Sequence, residues 1–172
     1  MRIEMLDHRD LAVATAIHRV LTLAYAQEAE LLQVRHFAPL ARTPEDIQSS
    51  TEYHLGALRG QELIGALSVG PDDEPGQINI ASLVVHPRFQ RQGIGRSLVI
   101  EALRLGNGAA FSVSTGARNA PALALYRQLG FVVYRRGTLG PEAIELVKLR
   151  RARTDPLPLP TQPGSDPSAG VR

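Results

Sequence analysis

The sequence predicts an α+β domain: one mixed sheet, α/β in type, with helices packed on it. Three observations predict this. Short runs with period-two or β-branched character recur along the chain, longer amphipathic stretches lie between them, and the order is β, α, α, β, β, β, α, β, α, β, β. The chain has 172 residues, 44% of them hydrophobic, which suits one domain of about 150 residues followed by a tail. No internal repeat interrupts that reading.

Each element has a local reason. Arg2–Leu6 alternates polar and apolar residues and forms a first strand. Asp7 or Asp10 can cap the helix that follows, where Val13, Ile17, Val20, Ala24 and Leu31 recur at helical spacing over residues 11–33. Thr43-Pro44-Glu45-Asp46 starts a second, short helix, with Thr as cap, Pro at the first position and acids in the first turn. Tyr53–Arg59 and Glu62–Val69 flank Gly60-Gln61 as a hairpin, and Gly70–Gly76 is an acidic loop. Ile78–Val85 is a long strand closed by Pro87. Arg96–Leu105 is a helix stopped by Gly106-Asn107-Gly108. Ala110–Thr115 is a strand and Pro121–Leu129 a helix ended by Gly130. Phe131–Arg135 and Ala143–Leu149 are the last strands, joined around Gly137–Pro141. Residues 1–149 thus make a single domain. The segment 150–172 is a tail, with four prolines between 156 and 163, too poor in apolar residues to pack and expected to be disordered.

Composition excludes several function classes. No apolar run of 18 residues exists, and the start Met1–Asp7 is too polar for a signal peptide, so no membrane role is expected. Cysteine is absent, which removes disulfides, thiolate nucleophiles and cysteine-based metal sites, and a cytoplasmic location is the default. His8, His18, His36 and His54 show no metal-ligand spacing, so no metal is inferred. The net charge of +2 resides in the tail: Arg150, Arg151, Arg153 and Arg172 oppose Asp155 and Asp166, leaving 1–149 neutral. A neutral body argues against a nucleic-acid partner. Within it, no acid lies between Glu74 and Glu101, while Arg88, Arg91 and Arg96 do. That cationic segment suits a phosphate-bearing ligand.

Gln90-Arg91-Gln92-Gly93-Ile94-Gly95 lies between the strand ending at Val85-His86-Pro87 and the next helix. Glycines let the backbone turn tightly, and a helix N-terminus aims unpaired N–H groups at a ligand, so the segment reads as an anion cradle. A P-loop is excluded because no Gly-Lys-Ser/Thr follows. A dinucleotide fingerprint is poorly matched, with Leu98 where the third glycine belongs and no acid near 111–117. An ordinary strand–turn–helix connection is the remaining alternative on the glycines alone.

The stretch Leu83-Val84-Val85-His86-Pro87-Arg88-Phe89-Gln90-Arg91-Gln92-Gly93-Ile94-Gly95-Arg96-Ser97-Leu98 resembles the central motif of the GNAT superfamily of N-acetyltransferases. A second block, Asn119-x-Pro121-Ala122-x-x-Leu125-Tyr126-x-x-Leu129-Gly130-Phe131, resembles that superfamily's next motif at a typical interval. The resemblance covers residues 1 to about 149 and implies a mostly antiparallel central sheet flanked by helices. It implies that acetyl-CoA is the co-substrate and that the acceptor is a small-molecule or peptide amine, attacked directly in a ternary complex. The pantetheine arm would lie along Leu83, Val84 and Val85 like an added strand. The Val85 N–H would stabilise the developing oxyanion. The N–H groups of Arg91, Gln92, Gly93, Ile94, Gly95 and Arg96 would hold the pyrophosphate, with Gln90 and Ser97 completing the loop. Tyr126 matches the family tyrosine that protonates the departing thiolate and would also touch the cofactor. Its alternative is a packing role on the sheet. Asn119 matches a cofactor-contacting position and can equally cap the helix at Pro121.

The general base departs from the family pattern. Many relatives carry an acid just before the Leu-x-Val segment, where this chain has Ala81 and Ser82. An amine of pKa ~10.4 is mostly protonated at pH 7, and neutralising it costs roughly 4–5 kcal/mol. Ser82 can orient a water. His86 has a suitable pKa but stands in a turn. Asp72, Asp73 and Glu74 read as a solvated acidic turn. Glu28, with Tyr25 on the first helix, is the other candidate, and the segment from Tyr25 to Pro44 commonly shapes the acceptor pocket in relatives. Two functions follow: an active N-acetyltransferase, or a non-catalytic acyl-CoA-binding module that kept the cradle and lost the base. Nicotinamide chemistry is a third option. Edge strands would allow a homodimer.

Overall fold

A computed structural model describes residues 1–35 and 38–154. The tail expected from residue 150 starts later, because Arg150 and Arg151 pair with Ser112 and Phe111 as the end of the last strand; its part beyond Thr154, and His36, lie outside the described residues. The order is β1 (Arg2–Leu6), α1 (Leu11–Leu32), α2 (Pro44–Ser49), β2 (Tyr53–Arg59), β3 (Glu62–Pro71), β4 (Gln77–Val85), α3 (Ile94–Leu105), β5 (Ala110–Gly116), α4 (Ala120–Gln128), β6 (Val132–Leu139) and β7 (Ile144–Arg151). Short 3-10 turns occupy Ala38–Ala41 and Pro87–Phe89. The seven strands form one sheet in the order β1-β2-β3-β4-β5-β7-β6. All neighbours are antiparallel except β4 and β5.

The caps act as their residue types require. Asp10 caps α1, accepting from the N–H of Ala12 at 2.7 Å and Val13 at 3.2 Å. Thr43 and Asp46 form a reciprocal capping box on α2, at 3.2 and 2.8 Å. Helices then cover both faces of the sheet. On one, Ala14, Ile17, Val20 and Leu21 of α1 pack with Ile47 against Ala66 and Val84. On the other, Ile94, Leu98, Val99 and Ala102 of α3 and Tyr126 of α4 pack with Ile64, Leu67, Phe111, Phe131 and Leu149.

The feature that positions the site is a splay between the two parallel strands. β4 pairs with β5 only from Gln77–Ile80 against Ala110–Val113. Beyond that, β5 continues against β7 as far as Gly116↔Leu146, and β4 continues against β3 as far as Val85↔Gly65. Ser82 pairs with Ser68 and Ile80 with Val69, so Ala81 is an extra residue on β4 at the point of divergence. A bulge bends the strand that carries it. The β5-facing edge of β4 from Ala81 to Val85 is therefore unpaired.

Two segments differ from the sequence reading. The acidic stretch 72–74 is no solvated turn. Asp72, its side chain 2% exposed, accepts from Lys148 at 2.6 Å and also from the Ser112 hydroxyl. Asp73 is bonded to Lys148 and Arg135, while Glu74 accepts from Arg135 at 2.7 Å and from the Tyr134 hydroxyl at 3.0 Å. Lys148 of β7 makes burial of Asp72 tolerable, while Asp73 stays exposed and Glu74 half-buried. The last hairpin is also longer than Gly137 and Gly140-Pro141 suggest. Gly137↔Leu146, Thr138↔Glu145 and Leu139↔Ile144 keep the ladder closed, leaving only residues 140–143 as the turn.

Candidate active site

Two cavities open on the splay. The first is a groove of about 700 Å³ lined by Leu83, Val84 and Val85 of β4, the loop residues Gln90, Arg91 and Gly93, the first turn of α3, the α4 residues Pro121, Ala122 and Leu125, and α1 from Ala24 to Leu31. His86 donates its N–H to the Ile64 carbonyl on β3 at 2.9 Å. Main-chain groups alternate along a strand, so the Val85 N–H points to the open edge. The Val85 carbonyl on that edge accepts from the Gln90 amide at 3.2 Å, and the same amide donates to Gln27 of α1 at 2.7 Å. Gln90 thus fastens the loop to both walls of the groove.

The loop has the conformation an anion cradle needs. Arg91 and Gly93 both take positive φ, 63° and 78°. Gly93 is the N-cap of α3 and supplies no side-chain cap, so the N–H groups of Ile94, Gly95 and Arg96 lack intrahelical acceptors. A Cβ on Gly93 would meet nothing within 4 Å. The backbone, not crowding, requires glycine there, and the space in front is open to a ligand. Glu28 is the only acid among the described residues lining this groove, and Arg91 and Arg96 stand at its rim. These residues fit a pyrophosphate.

The second cavity, about 760 Å³, reaches β5 and the last hairpin. Its walls come from α1 (Tyr25, Glu28, Leu32), the turn Ala38–Ala41, Ile80–Leu83 of β4, Val113–Gly116 of β5, and the end of the last hairpin from Leu139 to Leu146. α1 reaches across β5 because Gly116 has no side chain: a Cβ there would stand 2.7 Å from the Leu32 Cδ2. The Glu142 carboxylate accepts from the Arg35 N–H at 3.1 and 3.2 Å, tying the hairpin end to the segment after α1. Most of the lining is aliphatic. Glu28, Leu83, Asn119 and Ala122 line both cavities, so the two meet there.

Titratable groups gather at that meeting point. Burial pushes the Tyr126 phenol well above its ordinary range, and the Tyr25 and Glu28 charges add to it. Burial likewise raises Tyr25, with Glu28 adding, while hydrogen bonding to Ser82 opposes it. Burial raises the Glu28 carboxyl, and the Asn119 amide, donating at 3.0 Å, opposes the shift. Ser82 is bonded to the buried Ser68 at 2.7 Å.

The structure brings most of the expected residues together. Leu83, Val84, Val85, Gln90, Arg91, Gly93, Ile94, Gly95, Arg96 and Asn119 line the groove. Gln92 turns away and accepts from Arg59 at 2.9 Å. Ser97 lies in the first turn of α3, its N–H donating to the Gly93 carbonyl at 2.9 Å. Tyr126, Tyr25 and Ser82 line the second cavity. His86 is in neither; its Nδ1 accepts from the Arg88 N–H at 3.2 Å. Sequence reasoning missed the wall formed by Leu139, Pro141, Ile144 and Leu146. No local signal marks it, because it is assembled by pairing of the last hairpin against β5.

The model of the acetyltransferase (GNAT) family matches residues 16–131. The N-alpha-acetyltransferase RimI of Mycobacterium tuberculosis is 30% identical over 145 residues, covering 79% of this chain and 92% of that protein. The UPF0157 protein YqkA of Bacillus subtilis is 35% identical over 130 residues, covering 75% of this chain. The chain spans only 37% of YqkA's length, and 34% of the mycothiol acetyltransferase of Mycolicibacterium smegmatis, to which it is 34% identical over 113 residues, 64% of this chain. Among solved structures, the ribosomal-protein-alanine N-acetyltransferase of Brucella melitensis superposes with a TM-score of 0.70 at 18% identity, covering 88% of this chain and 99% of that one.

Proposed function

Because the chain belongs to the acetyltransferase (GNAT) family, we propose that it transfers the acetyl group of acetyl-CoA to a primary amine by direct attack in a ternary complex. The observation that carries this is the meeting of the two cavities at Leu83 and Ala122. A donor in the groove and an acceptor in the chamber can be bound at once, with their reacting ends together and little water between them.

The roles follow from chemistry at that point. The pantetheine arm lies along the open edge of Leu83–Val85. The Val85 N–H faces the thioester carbonyl and is strengthened as charge develops on its oxygen. The N–H groups of residues 94–96 and the two rim arginines hold the pyrophosphate. Tyr126 lies one helical turn beyond Ala122, its neutral phenol kept protonated by burial, and gives its proton to the departing sulfur. Tyr25 and Ser82 face the acceptor. The acceptor is a small molecule or a peptide N-terminus; the RimI relative is named for α-amine acetylation, and the aliphatic chamber favours an amine on an apolar body. The reading carries a cytoplasmic location with it.

The test is thiol release from acetyl-CoA with 2-phenylethylamine, hexylamine, spermidine and a short peptide with a free α-amine. Amine-dependent release, with the acetyl group recovered on the nitrogen, is expected. CoA binding without transfer to any amine would instead support the acyl-CoA-binding module that the missing acid at Ala81 and Ser82 suggested.

A further inference from the structure

We propose that Glu28 is the general base of the reaction and that Asn119 is the residue that positions it, so that one amide couples the first turn of α4 to the carboxylate on α1. The inference rests on the acetyl-transfer reading above and identifies the group that makes the acceptor nucleophilic.

The remaining candidates are excluded by their places. Asp72, Asp73 and Glu74 are held by Lys148 and Arg135 in the ion cluster at the other end of β4. Glu52 is bonded to Arg42 at 3.3 Å. His54 is 1% exposed and His86 caps its own turn. Glu142 is engaged by the Arg35 N–H at the hairpin end. Glu28 is the one carboxylate, among the described residues, that lines both cavities.

Asn119 has one donor and one acceptor in use, in opposite directions. Its Oδ1 accepts from the Ala122 N–H at 3.2 Å, capping α4, and its Nδ2 donates to the Glu28 Oε1 at 3.0 Å. The cap fixes which face of the amide is presented, so the donor always faces α1. A donor to the ionised form of a partly buried carboxyl holds it ionised and in one rotamer. The other charged or titratable groups around Glu28 are Tyr25 on its own helix, Tyr126 on α4, and Arg35 and Glu142 at the chamber. Arg91 and Arg96 stand across the groove.

The protons balance. The Glu28 carboxylate takes a proton from the acceptor ammonium and loses it to water at the chamber mouth. The neutral nitrogen then forms its bond to the carbonyl carbon, and the carbon–sulfur bond breaks with its electron pair leaving on sulfur. Sulfur takes the Tyr126 phenol proton. The second nitrogen proton passes to Glu28 and returns to the phenolate, so the net product is amide, free thiol and one proton.

The experiment uses the full chain with 2-phenylethylamine as acceptor and follows kcat/KM against pH, alongside CoA affinity and a direct titration of the Glu28 Cδ by carbon NMR in the free protein. Glu28→Gln is expected to lower kcat at pH 7 by roughly 10²-fold, with CoA affinity within about twofold. It should regain activity as pH approaches the amine pKa, near 10, where no base is needed. Asn119→Ser and Asn119→Asp both keep a capping side chain, and both should move the acidic limb of the profile, and the Glu28 titration, to higher pH, Asp further than Ser. Wild-type turnover in Glu28→Gln would overturn the base. Unmoved limbs and titrations in both Asn119 variants, or a loss confined to CoA affinity, would overturn the positioning role. If 2-phenylethylamine is not acetylated, the NMR titration still decides the coupling, separately from the acceptor's identity.

Discussion

The groove proposed for the donor and the chamber proposed for the acceptor meet at four residues, yet they are made of different material. The groove takes its floor and its loop from one stretch of chain, Leu83 to Arg96, between walls from α1 and α4, and its formal charges are exposed Arg91 and Arg96 with Glu28 where it meets the chamber. The chamber is side chains from six separate segments, and its two tyrosines, Tyr25 and Tyr126, are pushed upward by burial. Backbone recognition tolerates many side chains and depends on conformation; side-chain recognition depends on what each position carries and on the fold that assembles them. The groove should therefore respond to backbone strain and to salt. The chamber and the buried groups outside it should respond to pH and to single polar atoms.

The sharpest break between the two is expected at Tyr126. Tyr126→Phe keeps the ring that packs edge-on against Phe131 at 5.5 Å and removes one hydroxyl. Turnover should fall by about 10²-fold, the usual worth of a positioned acid, while CoA affinity changes by less than about twofold. Equal losses in both would mean that the hydroxyl belongs to the groove and not to the reaction.

Outside both cavities, on β2, His54 supplies a pH test. It is buried against His8, ring centroids 4.7 Å apart, and its Nε2 has no hydrogen-bond partner. Burial first, then the His8 charge, lowers its pKa to about 4. The unfolded chain takes up that proton near pH 6.5, so the folded form binds fewer protons below it. The stabilisation is complete above about pH 6.5 and is lost as pH falls toward 4. Urea unfolding should show roughly 2–3 kcal/mol more loss between pH 7 and 4.5 in the wild type than in His54→Leu. Parallel pH dependences in the two proteins would refute it.

The same contrast explains what the sequence could reveal. Gly93 needs a left-handed backbone, and the loop's cationic, acid-free surroundings are contiguous, so the groove was readable from one window of residues. The helix caps at Asp10 and Thr43 were readable for the same reason. The chamber was not. Tyr25 and Glu28 are visible on one helical face, but Leu139 and Ile144 become walls only through the pairing of β6 with β7 and of β7 with β5. The acidic run 72–74 shows the limit most plainly. Alone it reads as a solvated turn, and only Lys148 and Arg135, more than 60 residues away, make it a clamp.

On the groove side, Gly93→Ala isolates conformation. The added Cβ meets no protein atom within 4 Å, but φ of 78° costs an alanine about 1–2 kcal/mol. The chain can relieve this by letting the loop relax in the free state, so most of the cost should fall on binding. CoA affinity should weaken by about tenfold, equivalent to ~1.4 kcal/mol, with kcat at saturating acetyl-CoA retained. A drop in kcat without loss of affinity would mean the loop acts on the chemistry.

Salt gives the smallest and most direct comparison. Arg91 and Arg96 are exposed, and exposed charges are screened within about 10 Å at 0.1 M ionic strength and about 3 Å at 1 M. Glu28 is partly buried and is screened less. Raising sodium chloride from 0.05 to 0.5 M should weaken CoA binding by about threefold to fivefold, and Arg91→Ala/Arg96→Ala should flatten that dependence. The acceptor KM should change by less than about twofold over the same range. If instead the acceptor KM proves the more salt-sensitive, the amine is recognised by an exposed charge such as Glu142, and the division between a charged groove and a buried chamber fails.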